Sequence, residues 1–306
     1  MKFEDAYFKY LEYVKVKQKK QSRETLEQRF RSKILPFFKN YDIYNISEND
    51  YLSWQNYILE FNFSNNYVKG LHYLMCSFFD YCILFLDLKI NIARRVGQFN
   101  LKNVKTKHDF YTLQEFKKFI KCFDNEVYKQ FFNLMFFAGT RPGEAMALRF
   151  SDLSYCNISI NKTISEHFVD GSRVTDDPKS LCSVRDISID KSLYKQLLNL
   201  KDLYISKYGN CDFDYYIFGG IKPLAPTTIN RYKKKACELA NIRPIKLHEF
   251  RHSHASLLNS CYVSLQSIKE RLGHSDVRVT SDVYVHTTDN NKKRIARILN
   301  LLRLFI

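Results

Sequence analysis

The stretch GTRPGEAMALRFSDL, Gly139 to Leu153, is the point at which the chain changes character. Before it, Phe131 to Ala138 form an apolar run of helical type that reaches its end at Gly139, a residue suited to a helix stop. After it, apolar and polar residues alternate. Arg141 falls between Gly139-Thr140 and Pro142-Gly143-Glu144, where one helix ends and another begins, with a Gly and a Pro restricting the backbone. A guanidinium fixed there can present two parallel donors to a phosphate. An ion pair with Glu144 is its other use.

Downstream, Ile158, Ile160, Thr163, Ile164, Val184, Ile187 and Ile189 alternate with polar residues and predict a short antiparallel sheet. Helices resume at Leu193 and continue to the C-terminus. Upstream, Thr112 and Glu115 have capping-box spacing and predict a helix start. The first hundred residues are helical in period: Phe3, Tyr7, Tyr10, Leu11 and Val14 recur at three- and four-residue steps, as do Tyr67, Leu71, Leu74, Phe78 and Tyr81. Asn91 to about Lys107 is basic, lacks that period and reads as a linker. The expectation is a mainly α protein: an all-helical domain over 1–100, a linker at 101–109, and an α+β domain with a small antiparallel sheet over 110–306. Two domains are what 306 residues lead one to expect.

A formal charge of +16 and a pI near 9.3 favour a polyanionic partner. A membrane is disfavoured, because the most apolar stretch, Leu71 to Leu86, is interrupted by His72 and Asp80. The N-terminus carries Glu4 and Asp5 and no apolar run ahead of a cleavage site, so a soluble, cytoplasmic protein is expected. The eight cysteines never fall two apart, which argues for buried free thiols over zinc or disulfides. Lys15, Lys17, Lys19, Lys20 and Arg23 form a basic run at a helix connection, and Arg94 and Arg95 another near the linker. Either serves as a solvated face or as phosphate contacts.

Three further motifs complete the set. In LHEFRHSHASLL, Leu247 to Leu258, His248 and Arg251 are three apart and share a helix face, while His252 and His254 fall on other faces, which argues against zinc. In RLGHSDVRVTSDVY, Arg271 to Tyr284, a helix starting near Ser264 stops at Gly273, placing His274 at a fixed turn. In DPKSLCSVRDI, Asp177 to Ile187, Lys179 precedes Ser183 and Arg185.

In order and spacing, Arg141, Lys179, His248, Arg251, His274 and Tyr284 resemble the tyrosine recombinases, the family of phage and transposon integrases. The distance of Tyr284 from Gly273-His274 matches that family. Lys179 looks like its β-hairpin lysine, although Ser180 and Leu181 stand where Thr and Lys are more usual, and Lys162 is the alternative. The resemblance implies a SAM-like core-binding domain and a DNA breaking-rejoining catalytic domain clamping duplex DNA. It implies that Tyr284 forms a 3′-phosphotyrosine, with the other five residues managing charge and protons, and that no metal, ATP or nucleotide cofactor is needed. It further implies a homotetramer on core-type sites, with accessory bending or directionality factors. The apolar spacing of Ile295, Ile298, Leu299, Leu302 and Phe305 would suit a terminal helix docking on a neighbouring protomer. The arm-binding domain of many integrases is not visible. A type IB topoisomerase, a chromosome dimer resolvase and a catalytically silent DNA-binding protein are the competing readings.

Overall fold

The computed structural model describes residues 1–18, 20–101, 109–169, 172–176, 184–209 and 214–273. The chain divides into two compact units, Met1–Lys105 and Thr106–Ile306.

The first unit is helical throughout its described residues: α1 (Phe3–Lys17), α2 (Lys20–Arg29), a π-helical turn (Phe30–Ile34), α3 (Leu35–Phe38), α4 (Glu48–Leu59), α5 (Asn65–Phe85) and α6 (Ile92–Val96). Its core is unusually aromatic. Phe3, Tyr7, Phe30, Phe38, Trp54 and Phe78 are all fully buried, and Phe3 stacks on Phe38 with ring centroids 5.3 Å apart. Ser47 and Asp50 close a capping box at the start of α4, and Ser64 caps α5.

The segment from Asn91 to Phe99, whose composition suggests linker, packs within the first unit. Asn91 caps α6 and donates to the Cys76 carbonyl at 2.9 Å, Gln55 donates to Gly97 O at 2.9 Å, and Ala93 and Phe99 are buried. Arg94 grips Asp80 with two donors, at 3.0 and 2.7 Å. Basic residues that look like solvent-facing linker therefore tie this segment to α5.

The second unit runs α7 (Leu113–Ile120), α8 (Glu126–Ala138), α9 (Pro142–Ala147), β1 (Leu153–Ser154), β2 (Asn157–Ile160), β3 (Thr163–Val169), β4 (Ser172–Asp176), β5 (Arg185–Ser188), α10 (Lys191–Tyr208), α11 (Pro226–Ala240), α12 (Glu249–Ser260) and α13 (Leu265–Leu272). Thr112 and Glu115 form the predicted capping box. Gly139 and Gly273 adopt left-handed φ values of 71° and 65° and close α8 and α13 as expected. Among the described residues the alternating segment forms the expected small antiparallel sheet and, beside it, a two-stranded ladder. β1-β2-β5 is antiparallel, with buried Ile158 opposite buried Ile187, while β3 and β4 make a separate hairpin. Val184 is 53% exposed and precedes its strand.

The sheet and α8, α10 and α12 enclose a core of Phe119, Phe132, Ile158, Leu197, Phe218 and Phe250. Gly143 lets α9 approach β3, since a Cβ there would lie 2.5 Å from Thr163 Oγ1 and 2.8 Å from Ile164 O. Of the six cysteines among the described residues, Cys76, Cys82 and Cys237 are buried, but Cys122 and Cys156 are half-buried and Cys261 is exposed, correcting the expectation of buried thiols. Tyr232 stacks on Tyr128 with ring centroids 3.8 Å apart, and Tyr262 is 45% exposed. No helix among the described residues is long and apolar enough to cross a membrane.

Candidate active site

Arg141 stands at the N-cap of α9 in extended conformation, with Pro142 in the first turn. Glu144, three residues on, folds back to accept the Arg141 backbone N–H at 2.8 Å and its Nη1 at 2.6 Å. The ion pair that the local sequence allowed is thus formed, and it fixes the guanidinium. Arg141 Nη2 donates to Gly273 O at 3.1 Å.

Arg251, on α12, is 1% exposed. Its Nη1 donates to Gly139 O at 3.0 Å and its Nη2 to Leu272 O, and it lies 4.0 Å from Glu144. Glu144 is the node. It is 4% exposed and also accepts Nη1 and Nη2 of Arg185 at 3.1 and 2.9 Å. Burial pushes the Glu144 carboxyl up, but the hydrogen bonds and charge of Arg185, and then the charges of Arg141 and Arg251, hold it below the usual carboxylate range. An ionised carboxylate beside three guanidinium groups leaves an excess of positive charge in a region of low dielectric, where it acts strongly on an anion.

The end of α13 is gripped by the same arginines. Arg185 Nε donates to Arg271 O at 2.8 Å, Arg251 to Leu272 O and Arg141 to Gly273 O, so three successive carbonyls are each met by a guanidinium. Such carbonyls lack partners within their own helix and carry the negative end of its dipole. His274 follows directly in sequence; it, Lys179 and Tyr284 lie outside the described residues.

His248 is exposed at the N-cap of α12, and the Arg251 backbone N–H donates to His248 O at 3.2 Å. His252 does not fall on another face: its ring meets that of His248 edge-on, with centroids 5.1 Å apart. Four residues turn a helix through about 400°, returning His252 to nearly the same side. His254 does point elsewhere. Its Nδ1–H donates to Phe136 O at 2.8 Å and its Nε2 accepts Arg271 Nε–H at 3.0 Å, joining α12 to the end of α8 and to α13. Burial first, and then the Arg271 charge, holds its pKa down to about 3, so the ring is neutral. Among the described residues no group of three or more His, Cys, Asp or Glu side chains is arranged to hold a metal ion. Lys162 is tied to buried Asp152 at 2.7 Å.

The local sequence assigns no site role to Arg185, Arg271 or His254, and offers Glu144 only as a partner of Arg141. Only the Glu144 spacing, three residues past a helix start, carried a signal; the other three find their partners through tertiary contact.

The basic residues of the first unit are mostly matched. Lys15 pairs with Glu12, Lys17 lies over the Tyr13 ring at 4.5 Å, Arg23 pairs with Glu27 at 3.7 Å and Arg95 with Glu48 at 2.6 Å. Lys20 is exposed, and Lys19 lies outside the described residues. Exposed pairs of this kind are weak enough to exchange their carboxylate for a phosphate.

The chain matches the phage integrase family over residues 109–291 and the phage integrase N-terminal SAM-like domain over residues 2–59. It is 32% identical over 270 residues to the ICEBs1 integrase of Bacillus subtilis, a match covering 86% of this chain and 73% of that one. Its fold is similar to that of the Tn1549 transposon integrase in complex with transposon right end DNA, with a TM-score of 0.77 at 16% identity over 98% of this chain and 100% of that one. It is similar also to a lambda integrase tetramer bound to a Holliday junction, with a TM-score of 0.69 at 15% identity over 92% of this chain and 77% of that one.

Proposed function

The chain belongs to the phage integrase family and is a tyrosine site-specific DNA recombinase, and from that premise we propose which of its residues break and rejoin the strand. Tyr284 Oη attacks the scissile phosphorus, the bond to the 5′ oxygen breaks, and a 3′-phosphotyrosine forms. Arg141 and Arg251 neutralise the nonbridging oxygens, whose charge grows in the pentacoordinate transition state; such preorganised charge is usually the largest catalytic contribution. His248 accepts the phenolic proton, Lys179 gives one to the departing 5′ oxygen, and His274 holds a phosphate oxygen, each proton transfer contributing about 10²- to 10⁴-fold. The phosphotyrosine keeps the energy of the phosphodiester, so a 5′-hydroxyl from a second duplex reverses the step. This chemistry calls on no metal or nucleotide.

The observation that carries the reading is the convergence of Arg141 and Arg251, from segments far apart in sequence, on the last carbonyls of α13, directly ahead of His274. We assign residues 110–306 to catalysis, 101–109 to the linker and 1–100 to core-site binding, with Lys15, Lys17, Lys19, Lys20, Arg23, Arg94 and Arg95 contacting phosphates. The working assembly is a homotetramer on double-stranded DNA of a phage or mobile element, directed by accessory bending or directionality factors. The test is a nicked duplex carrying a candidate core site. A covalent protein–DNA adduct that vanishes in Tyr284→Phe is expected; no adduct on a site the protein demonstrably binds would overturn the assignment.

A further inference from the structure

Arg185 sits on β5 opposite Ile160 and has a side chain only 7% exposed. Its three guanidinium nitrogens all donate: Nη1 and Nη2 to the two oxygens of Glu144 at 3.1 and 2.9 Å, and Nε to Arg271 O at 2.8 Å. Glu144 accepts four hydrogen bonds, two from Arg141 and two from Arg185, which fills a carboxylate's capacity. We infer that Arg185 is a positioning residue for strand cleavage, holding Glu144 and the end of α13 so that Arg141 and Arg251 keep their places around the scissile phosphate. The inference rests on the phosphate-binding role proposed above for those two arginines.

The chemistry follows from what the removal of Arg185 leaves behind. Glu144 would lose half of its donors, and its charge would fall on Arg141 and on Arg251, 4.0 Å away, in direct competition with the phosphate. Arg271 O would lose its guanidinium, loosening the helix end from which the chain continues to His274. A lysine can answer the charge of Glu144 but lacks the planar fork that spans both carboxylate oxygens and a carbonyl together. Burial opposes ionisation of Glu144, and Arg185 is the principal group offsetting it.

The experiment is single-turnover cleavage of a nicked core-site duplex by the full chain, alongside DNA affinity, for wild type, Arg185→Gln and Arg185→Lys. Each is measured on an ordinary phosphate and on a methylphosphonate at the scissile position, which is uncharged. On the phosphate, Arg185→Gln should cleave about 10²-fold more slowly, the scale of a group displaced by about 1 Å, with affinity within about threefold. Arg185→Lys should fall between. On the methylphosphonate, which offers the arginines no charge to neutralise, the deficit of both variants should shrink to a few fold. An equal deficit on both substrates, or one that tracks loss of folded protein, would show a merely structural role and overturn the inference. So would unimpaired cleavage by a folded variant. If Arg185→Gln does not fold, the comparison of the two substrates is made with Arg185→Lys alone and reads the same way. A wild type that binds the site and forms no adduct overturns the phosphate-binding reading itself, a result separable from any outcome at Arg185.

Discussion

Arg141 reaches across 132 residues of sequence to donate to the carbonyl oxygen of Gly273 at 3.1 Å. The first of these residues opens α9 and the second closes α13, so a helix start and a helix end meet through one guanidinium. Arg251 and Arg185 repeat the arrangement on the two preceding carbonyls, and Glu144 holds the arginines together.

Among the described residues Glu144 is the carboxylate that Arg141, Arg185 and Arg251 share, and Glu144→Gln removes its charge from beside them. A loss of about 3–5 kcal/mol in unfolding free energy is expected, the range for breaking a buried pair by removing one partner. The native carboxyl lies below its unfolded value of 4.5, so its contribution is present above that pH and lost as the pH falls through the folded pKa. Denaturant melts of both proteins from pH 7 down to pH 3 should therefore converge on the acid side; curves that stay parallel would contradict this.

His254 gives a second pH signature at higher pH. Its folded pKa near 3 lies below the unfolded 6.5, so its contribution is complete above pH 6.5 and declines as the pH falls from there toward 3. His254→Gln should be less stable at pH 7 and lose less stability between pH 6 and pH 4. An unchanged slope in urea titrations would remove His254 from the acid response.

Gly143→Ala places a methyl group against Thr163 Oγ1 and the Ile164 carbonyl. Overpacking of this kind costs about 1–3 kcal/mol. Thr163→Ala in the same chain should recover part of the loss, because it clears the hydroxyl but not the carbonyl. Thermal melting of the two variants decides it, and no recovery would mean that the backbone contact alone sets the cost.

Substituting Lys15, Lys17 and Lys20 by Ala should weaken binding to core-site and random duplexes alike. Each lost phosphate contact lowers the slope of log affinity against log salt by about 0.9. Arg94→Ala should act differently, because it also breaks the grip on Asp80 and loosens α6. A triple variant with the wild-type salt slope would remove those lysines from the interface.

Sequence and structure agree where local chemistry sets the structure. The Thr112–Glu115 box, the glycine stops at Gly139 and Gly273, the start at Ser264 and the aromatic periodicity of α1 and α5 depend on residues within a turn or two of one another. Elsewhere distant contact overrides composition. Asn91 to Phe99 looks like linker because its sequence is basic and aperiodic, yet Cys76, Asp80 and Gln55 supply partners that a window of sequence does not contain. Among the described residues β3 and β4 pair apart from the small sheet, because alternation predicts strands without saying which of them pair.

The sequence by itself determined the residue types of the site, the order in which they occur and the caps that hold Arg141 and the end of α13, because capping acts over three or four positions. The tertiary structure alone decided which arginines share Glu144, and that α13 ends against them. Buried charge must find its partner wherever the fold brings one, and here the partners of Glu144 come from α9, from β5 and from α12.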